Sequence, residues 1–359
     1  MTLFGDRYRG CRVLLTGHTG FKGSWLALWL TELGAEVVGV ALPPDTAPNH
    51  WDLLGLDIAE HRIDLRDQVA LVDVVKKTRP DIVLHLAAQA LVRRSYRDPL
   101  ETWSTNVMGT AGLLEACRGV DTIRAIVVVT SDKCYENREW ECGYRETDPL
   151  GGHDPYSASK AATELVAASY RQSFFHTPDA PLLATARAGN VVGGGDWSQD
   201  RLIPDLVRAA AAGDALEIRS PHATRPWQHV LESLSGYLLL GQRLLEGDRD
   251  AARSWNFGPD ADGNRSVADI LATLQAYWPE LVWQVTREPQ PHEATLLYLD
   301  STLARARLGW KSVWAVNEAL AATADWYRSH LATGHVQSRS QLAAYVAAAQ
   351  SGARVWTAS

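Results

Sequence analysis

Two groups of residues in this sequence have the types and the spacing to do chemistry. The first is Gly17-His18-Thr19-Gly20-Phe21-Lys22-Gly23, which follows directly on the apolar run Arg12-Val13-Leu14-Leu15-Thr16. Glycines let the backbone turn tightly and approach a pyrophosphate, and a helix starting there offers unpaired N–H groups and a positive dipole end. The same spacing occurs at plain helix-start turns; its place in the first strand–helix unit is what points to a dinucleotide. The second group is Tyr156-Ser157-Ala158-Ser159-Lys160. Tyr and Lys four apart on a helix share one face. A lysine cation there favours the tyrosinate, so the phenol can act as a base near neutral pH. The same lysine can bond a nicotinamide ribose.

These side chains need a scaffold, and the first half of the chain supplies an alternation of short apolar runs and longer helical stretches. Strands are predicted at Arg12–Thr16, Glu36–Ala41, 61–65, 82–86 and 123–130, with helices at 22–33, Gln68–Thr78 and 99–117. Continuous apolar strands separated by helices predict a parallel sheet covered on both faces. Repeated in this way, they give a doubly wound, Rossmann-type α/β fold. After about residue 190 the rhythm breaks. Gly193-Gly194-Gly195-Asp196-Trp197 reads as a loop, followed by helices at Leu202–Ala212 and Val230–Leu245 and a strand at Ser254–Phe257. From Ser266 onward helices dominate, with short strands at 282–285 and 298–300. This is the pattern of a smaller mixed α/β lobe that binds substrate. A final helix at 338–350 is expected to pack on its own chain.

Composition bounds the function. A length of 359 residues fits one large domain with a smaller lobe, and 46% hydrophobic with 21% charged residues is ordinary for a globular protein. The net charge of -7 and the absence of any basic run exclude a nucleic-acid partner. Cys11, Cys117, Cys134 and Cys142 show no metal or disulfide spacing, so a reduced chain with no metal site is expected. Cys134 reads as a bystander, since no His-plus-acid pattern activates it. The start lacks the regions of a signal peptide and no apolar run has membrane length, which predicts a soluble, cytoplasmic protein.

The ribose end of a dinucleotide is less sharply marked. The second strand runs into Pro43-Pro44, the first acid is Asp45, and no arginine follows that strand to take a ribose phosphate. That favours NAD over NADP, although His18 or Lys22 could reach such a phosphate. Asp64 stands either at the adenine amino group or as the N-cap of the helix that starts at Gln68.

Larger segments then show a resemblance. They are Thr16 through Trp25, His85-Leu86-Ala87-Ala88-Gln89, Ser104-Thr105-Asn106-Val107-Met108-Gly109-Thr110 and Ser131-Asp132-Lys133-Cys134-Tyr135. Asn137-Arg138-Glu139-Trp140, Arg187-Ala188-Gly189-Asn190-Val191, the Gly193 loop and Arg225-Pro226-Trp227-Gln228-His229-Val230 continue them. The chain resembles the extended short-chain dehydrogenase/reductases and, among them, the CDP-glucose 4,6-dehydratases, from about residue 5 to 315. The resemblance implies residues 1–190 plus about 229–258 as a dinucleotide-binding domain. About 191–228 plus 259–325 would form a nucleotide-sugar-binding lobe, and 326–359 a helical tail.

The resemblance also implies a reaction and its residues. Tyr156 takes the C4 hydroxyl proton of a CDP-linked glucose while the C4 hydride goes to NAD. The resulting ketone acidifies the C5 proton, the C6 hydroxyl leaves, and the hydride returns to C6. Asp132 is the implied C6 acid. Lys133, where related dehydratases carry glutamate, is the implied C5 base, with Ser131 bonding the C4 oxygen. Capping of a strand end is the bland alternative for Asp132 and Lys133. Besides the glycine turn (Gly17, His18, Thr19, Gly20, Phe21, Lys22, Gly23), the resemblance puts Asp64, Leu65, Leu86, Ala87, Ala88, Gln89, Asn106 and Thr130 along the cofactor, with Tyr156 and Lys160. Asn106 would hold its helix and a water near the Tyr/Lys pair, or simply cap as a buried asparagine. Arg201 and Arg225 match positions that grip a diphosphate. Trp227 and His229 line the cleft, and Asn190 bonds a substrate phosphate or the nicotinamide amide. Glu293 either bonds the nucleotide ribose or is a surface carboxylate. A homodimer or homotetramer is implied, paired through helices near 106–117 and 156–174. A 4-epimerase on the same scaffold would not need Asp132 and Lys133, and a non-catalytic dinucleotide sensor would not need Tyr156 and Lys160.

Overall fold

The computed structural model describes residues 2–286 and 296–358. Its centre is a seven-stranded parallel sheet: β1 (Arg12–Thr16), β2 (Glu36–Ala41), β3 (Ala59–Arg62), β4 (Ile82–His85), β5 (Ala125–Val129), β6 (Leu182–Ala188) and β7 (Ser254–Phe257). The spatial order is β7-β6-β5-β4-β1-β2-β3. All of β4, β5 and β6 are buried, as expected for strands covered by helices on both faces. One face is filled by Trp25, Trp29, Leu234 and Trp255, the other by Leu71, Val75, Leu113 and Leu114. The chain order reverses between β1 and β4, and in such sheets the ligand crevice lies outside the strand ends at that point.

Most predicted elements recur with shifts of a few residues, and the exceptions have physical causes. The strand expected at 61–65 is Ala59–Arg62, a fully exposed edge whose Glu60 and Arg62 suit an unpaired sheet border. The single helix expected over 99–117 is divided into Pro99–Trp103 and Gly109–Arg118 by a wider π-type turn at Ser104–Met108. Such turns appear where a side chain is drawn out of register, often at functional sites; here it is Asn106. The strand expected at 298–300 is reduced to one bridge, Leu299 against Tyr144.

A third apolar cluster, with Trp197, Ile203, Leu206, Ile270 and Leu320, forms the core of the smaller lobe. Gly194 belongs where it is because Trp326 lies against it: a Cβ there would come within 1.9 Å of that ring. The last helix, Ser338–Ser351, packs on its own chain through Leu342 and Tyr345. Among the described residues no helix is long and apolar enough to cross a membrane.

Candidate active site

The turn after β1 is confined to glycine by its neighbours. Gly17 has φ 77°, and a Cβ there would meet Ala87 N at 2.7 Å, while one at Gly23 would meet Gly17 O at 2.0 Å. Gly20 precedes the helix Phe21–Glu32 and caps it with no side chain, so the first-turn N–H groups stay open. Gly20, Phe21, Lys22 and Gly23 border a cleft of about 1400 Å³ that runs along the strand ends into the smaller lobe. Open N–H groups and a backbone that nothing shields fit a pyrophosphate.

Thr16 Oγ1 accepts from Leu86 N and Ala87 N, both at 3.2 Å. Leu65, Leu86, Ala87, Ala88 and Gln89 border the cleft, as do Asp64 and Thr130. Behind them His85 bridges Thr16 Oγ1 at 2.7 Å and Thr110 Oγ1 at 2.9 Å. Burial pulls its pKa down to about 3, so it is a neutral spacer. Sequence reading missed this role because nothing local marks the two threonines as its partners.

Several positions differ from the sequence expectation. His18 does not face the cleft: its ring is fully buried, its Nε2 lies 2.9 Å from Glu60 Oε2, and it packs on Trp51. Strand β3 supplies that carboxylate, which spacing within the glycine turn cannot reveal. Lys22 turns inward, with Nζ 3.3 Å from Tyr237 Oη. Burial pulls its pKa to about 7, Arg201 and Lys160 add to this, and Asp132 opposes it. It therefore stands on the floor of the cleft rather than at the ribose end. The N-cap before Gln68 is Asp67, which accepts from Ala70 N; Asp64 pairs with Arg66 at 2.5 Å. Arg62 does lie beside the end of β2, paired across the sheet with Ala41, but it is held by Glu60 at 2.9 Å.

Asp132 is only 2% exposed. Its Oδ1 accepts from Ser131 Oγ at 2.9 Å, and its buried Oδ2 has no protein partner. A buried carboxylate oxygen left open in a cleft is costly for folding alone and useful for a proton transfer. Lys133 borders the same cleft. The helix Pro155–Ser173, started by Pro155 and capped by Asp154, brings Tyr156 and Lys160 to it. The expectation that Lys160 lowers the phenol pKa needs correction. Burial pushes Tyr156 up to about 12, and the Ser131 hydroxyl and Arg201 work against that. Lys160 Nζ donates to Val129 O at 3.3 Å, and its own pKa is pulled to about 8 by burial, with Glu164 opposing. Burial also pushes the Cys134 thiol up, which makes it unreactive.

Asn106 is buried outside the cleft wall. Its Nδ2 donates to Gln89 O at 3.0 Å and Ser159 Oγ at 2.9 Å, and its Oδ1 accepts from Gln89 N at 2.8 Å. Asn190, Arg201, Arg225 and Trp227 also border the cleft. Arg201 pairs with Asp196 at 3.0 Å, and Trp227 Nε1 donates to Arg265 O at 3.0 Å. His229 is not at the cleft: it is fully buried between Trp25 and Trp314, and its Nδ1 accepts from Leu231 N to cap the next helix. Its burial completes the join between lobe and sheet. Glu293 lies outside the described residues.

The family model for GDP-mannose 4,6-dehydratases matches residues 14–323. The CDP-glucose 4,6-dehydratase of Salmonella typhimurium is 48% identical, over 90% of this chain and 92% of that one. The structure of a dTDP-glucose 4,6-dehydratase from Streptomyces venezuelae with NAD and TYD bound matches at TM-score 0.75 and 26% identity, covering 89% of this chain and 97% of that chain. The UDP-glucose 4-epimerase of Thermus thermophilus in complex with NAD has the same fold, at TM-score 0.76 and 24% identity over 88% of this chain and 99% of that one. With a family model spanning most of its length and the strand order, glycine turn and Tyr/Lys pair in place, the chain belongs to the GDP-mannose 4,6-dehydratase family.

Proposed function

We propose that this chain converts CDP-D-glucose to CDP-4-keto-6-deoxy-D-glucose, with NAD in the glycine-turn half of the cleft. The observation that carries the reading is that Asp132, Lys133, Tyr156 and Lys160 border one cleft, in a chain 48% identical to a CDP-glucose 4,6-dehydratase. NAD bound there supplies the acceptor for the C4 hydride and its return to C6.

The chain's own residues move the protons. Tyr156 takes the C4 hydroxyl proton, and Ser131 beside it holds the C4 oxygen. Lys133 takes the C5 proton that the new ketone has acidified and gives it back to C5 as the hydride reaches C6. Asp132 gives a proton to the departing C6 hydroxyl through the oxygen that no protein group occupies. Lys160 bonds the nicotinamide ribose. Arg201 and Arg225 hold the diphosphate, Trp227 stacks on the base, and Asn190 bonds the phosphate or the nicotinamide amide. A 4-epimerase has no use for the Asp132 and Lys133 pair.

The division into a dinucleotide domain, a sugar-nucleotide lobe and a helical tail is part of this proposal. So is assembly as a homodimer or homotetramer: Met108 (63% exposed) and Leu165 (61%) lie on the two helices expected to pair. Four free cysteines support a reducing, cytoplasmic setting.

The test is an assay of purified protein with CDP-, dTDP-, UDP- and GDP-glucose, following the alkali-induced absorbance of the 4-keto-6-deoxy product. Product from CDP-glucose is expected. Turnover of another nucleotide sugar with none from CDP-glucose would overturn the substrate and spare the chemistry.

A further inference from the structure

Tyr156 and Lys160 are followed one turn later on the same helix by Glu164, so all three share one face. Glu164 is 2% exposed and outside the cleft wall. Its carboxylate accepts from Thr130 Oγ1 at 2.5 Å, Thr185 Oγ1 at 2.7 Å, Arg187 Nη2 at 2.8 Å and Ser254 Oγ at 3.1 Å. Thr130 directly precedes Ser131-Asp132-Lys133. Arg187, equally buried, uses Nη1 to reach Tyr135 Oη at 2.7 Å and Glu146 O at 3.2 Å. Tyr135, just beyond the triplet and Cys134, donates in turn to Asn256 Oδ1 at 2.7 Å. The short segment carrying Asp132 and Lys133 is thus fastened at both ends to one buried ion pair, whose Glu164 sits on the helix of Tyr156 and Lys160 and whose Arg187 sits on β6.

Buried ion pairs are a weak source of stability, because desolvation consumes most of their attraction, but they hold geometry tightly when fully hydrogen-bonded. We propose that the Glu164–Arg187 pair is a positioning element of the reaction, holding Asp132 and Lys133 in register with Tyr156 and Lys160 so that C4 oxidation and C5–C6 elimination proceed on one bound sugar. The inference rests on the dehydratase reading. Neither residue touches the cleft. Glu164 also opposes the burial that pulls Lys160 to about 8, so its charge sustains the Lys160 ammonium.

Two variants test this. Glu164→Gln keeps the size and an acceptor but removes the charge. Tyr135→Phe cuts the link from Arg187 to the far end of the triplet, together with the bond to Asn256, and leaves the Glu164–Arg187 pair itself in place. For each, kcat, KM, the pH profile of kcat and the thermal unfolding midpoint are measured. Single turnovers separate appearance of reduced cofactor from appearance of 4-keto-6-deoxy product. In cofactor-free protein, NMR of labelled lysines follows the Lys160 titration. Glu164→Gln is expected to lower kcat by about 10²-fold, the cost of a small misplacement, with KM little changed. It should also move both the alkaline limb and the Lys160 titration to lower pH. Tyr135→Phe should slow elimination more than oxidation, so that reduced cofactor persists. A folded Glu164→Gln protein with wild-type kcat and Lys160 titration would overturn the proposal. Should Glu164→Gln not fold, Tyr135→Phe decides, and an unchanged ratio of the two steps overturns it. Failure of the dehydratase reading itself shows separately, in wild-type protein that forms no dehydrated product.

Discussion

The side-chain amide of Asn106 donates to Ser159 Oγ at 2.9 Å, fastening the π-type turn of one helix to the helix that carries Tyr156 and Lys160. Ser159 in turn donates to Tyr156 O at 2.7 Å. The same asparagine holds both backbone polar groups of Gln89. Asn106→Ala should therefore destabilise the protein by about 2–4 kcal/mol, since it strands buried polar groups on two elements. Denaturant unfolding measures this, and a loss below half a kcal/mol would show that Asn106 does not brace these elements.

The acid and the base of the reaction should separate kinetically. Tyr156→Phe keeps the buried ring and removes only the hydroxyl, so kcat should fall by about 10²–10⁴-fold with the unfolding midpoint nearly unchanged. Asp132→Asn and Lys133→Ala should instead permit oxidation at C4 and block elimination. Single-turnover absorbance in these two variants is expected to show reduced cofactor without dehydrated product. Normal turnover by Lys133→Ala would remove Lys133 from the mechanism.

A pH signature lies far from the cleft. Buried Glu232 accepts from Val313 N at 3.0 Å, Trp314 N at 2.8 Å and Tyr345 Oη at 2.9 Å, tying the last helix to the helix Val230–Leu245. Burial pushes its carboxyl from the usual 4.5 up to about 7, against those hydrogen bonds. Between these values the folded chain holds more protons than the unfolded one, so its contribution is full below 4.5 and declines as pH rises to about 7. Across that window it amounts to about 3 kcal/mol. Glu232→Gln should flatten this part of the stability curve, measured by urea unfolding at successive pH values. An unchanged slope would assign the pH dependence elsewhere.

Contact between the small lobe and the sheet can be tested at one glycine. Gly194 lies beneath Trp326 and gives its carbonyl to Trp25 Nε1 at 3.0 Å. Gly194→Ala forces a methyl into the indole ring, and the expected result is a loss of about 3 kcal/mol or more, as for other overpacked cores. Double substitution with Trp326→Leu should recover part of it, which thermal unfolding of the three proteins would measure.

The sequence by itself determined what repeats locally. Alternating apolar strands and helices specified the doubly wound sheet, because buried parallel strands must be apolar on both faces. Gly17, Gly20 and Gly23 marked the turn, and at Gly17 and Gly23 only glycine tolerates the approach of Ala87 and of Gly17's own carbonyl. Tyr156 and Lys160 could be paired from a spacing of four, whereas Asp132 and Lys133 were implied only by the family resemblance of the segment that carries them.

Only the tertiary structure decided how side chains distant in sequence divide the space. It turned His18 to Glu60 and sealed His229 among tryptophans, moved Lys22 from the ribose end to the floor of the cleft, and drew Asn106 out of helical register. It also placed Glu164 and Arg187, 23 positions apart, as one buried pair behind the reacting groups. The physical reason is common to all of these. Periodicity reports which face of an element is apolar, whereas the partner of a buried polar group is set by whichever element the topology lays against it.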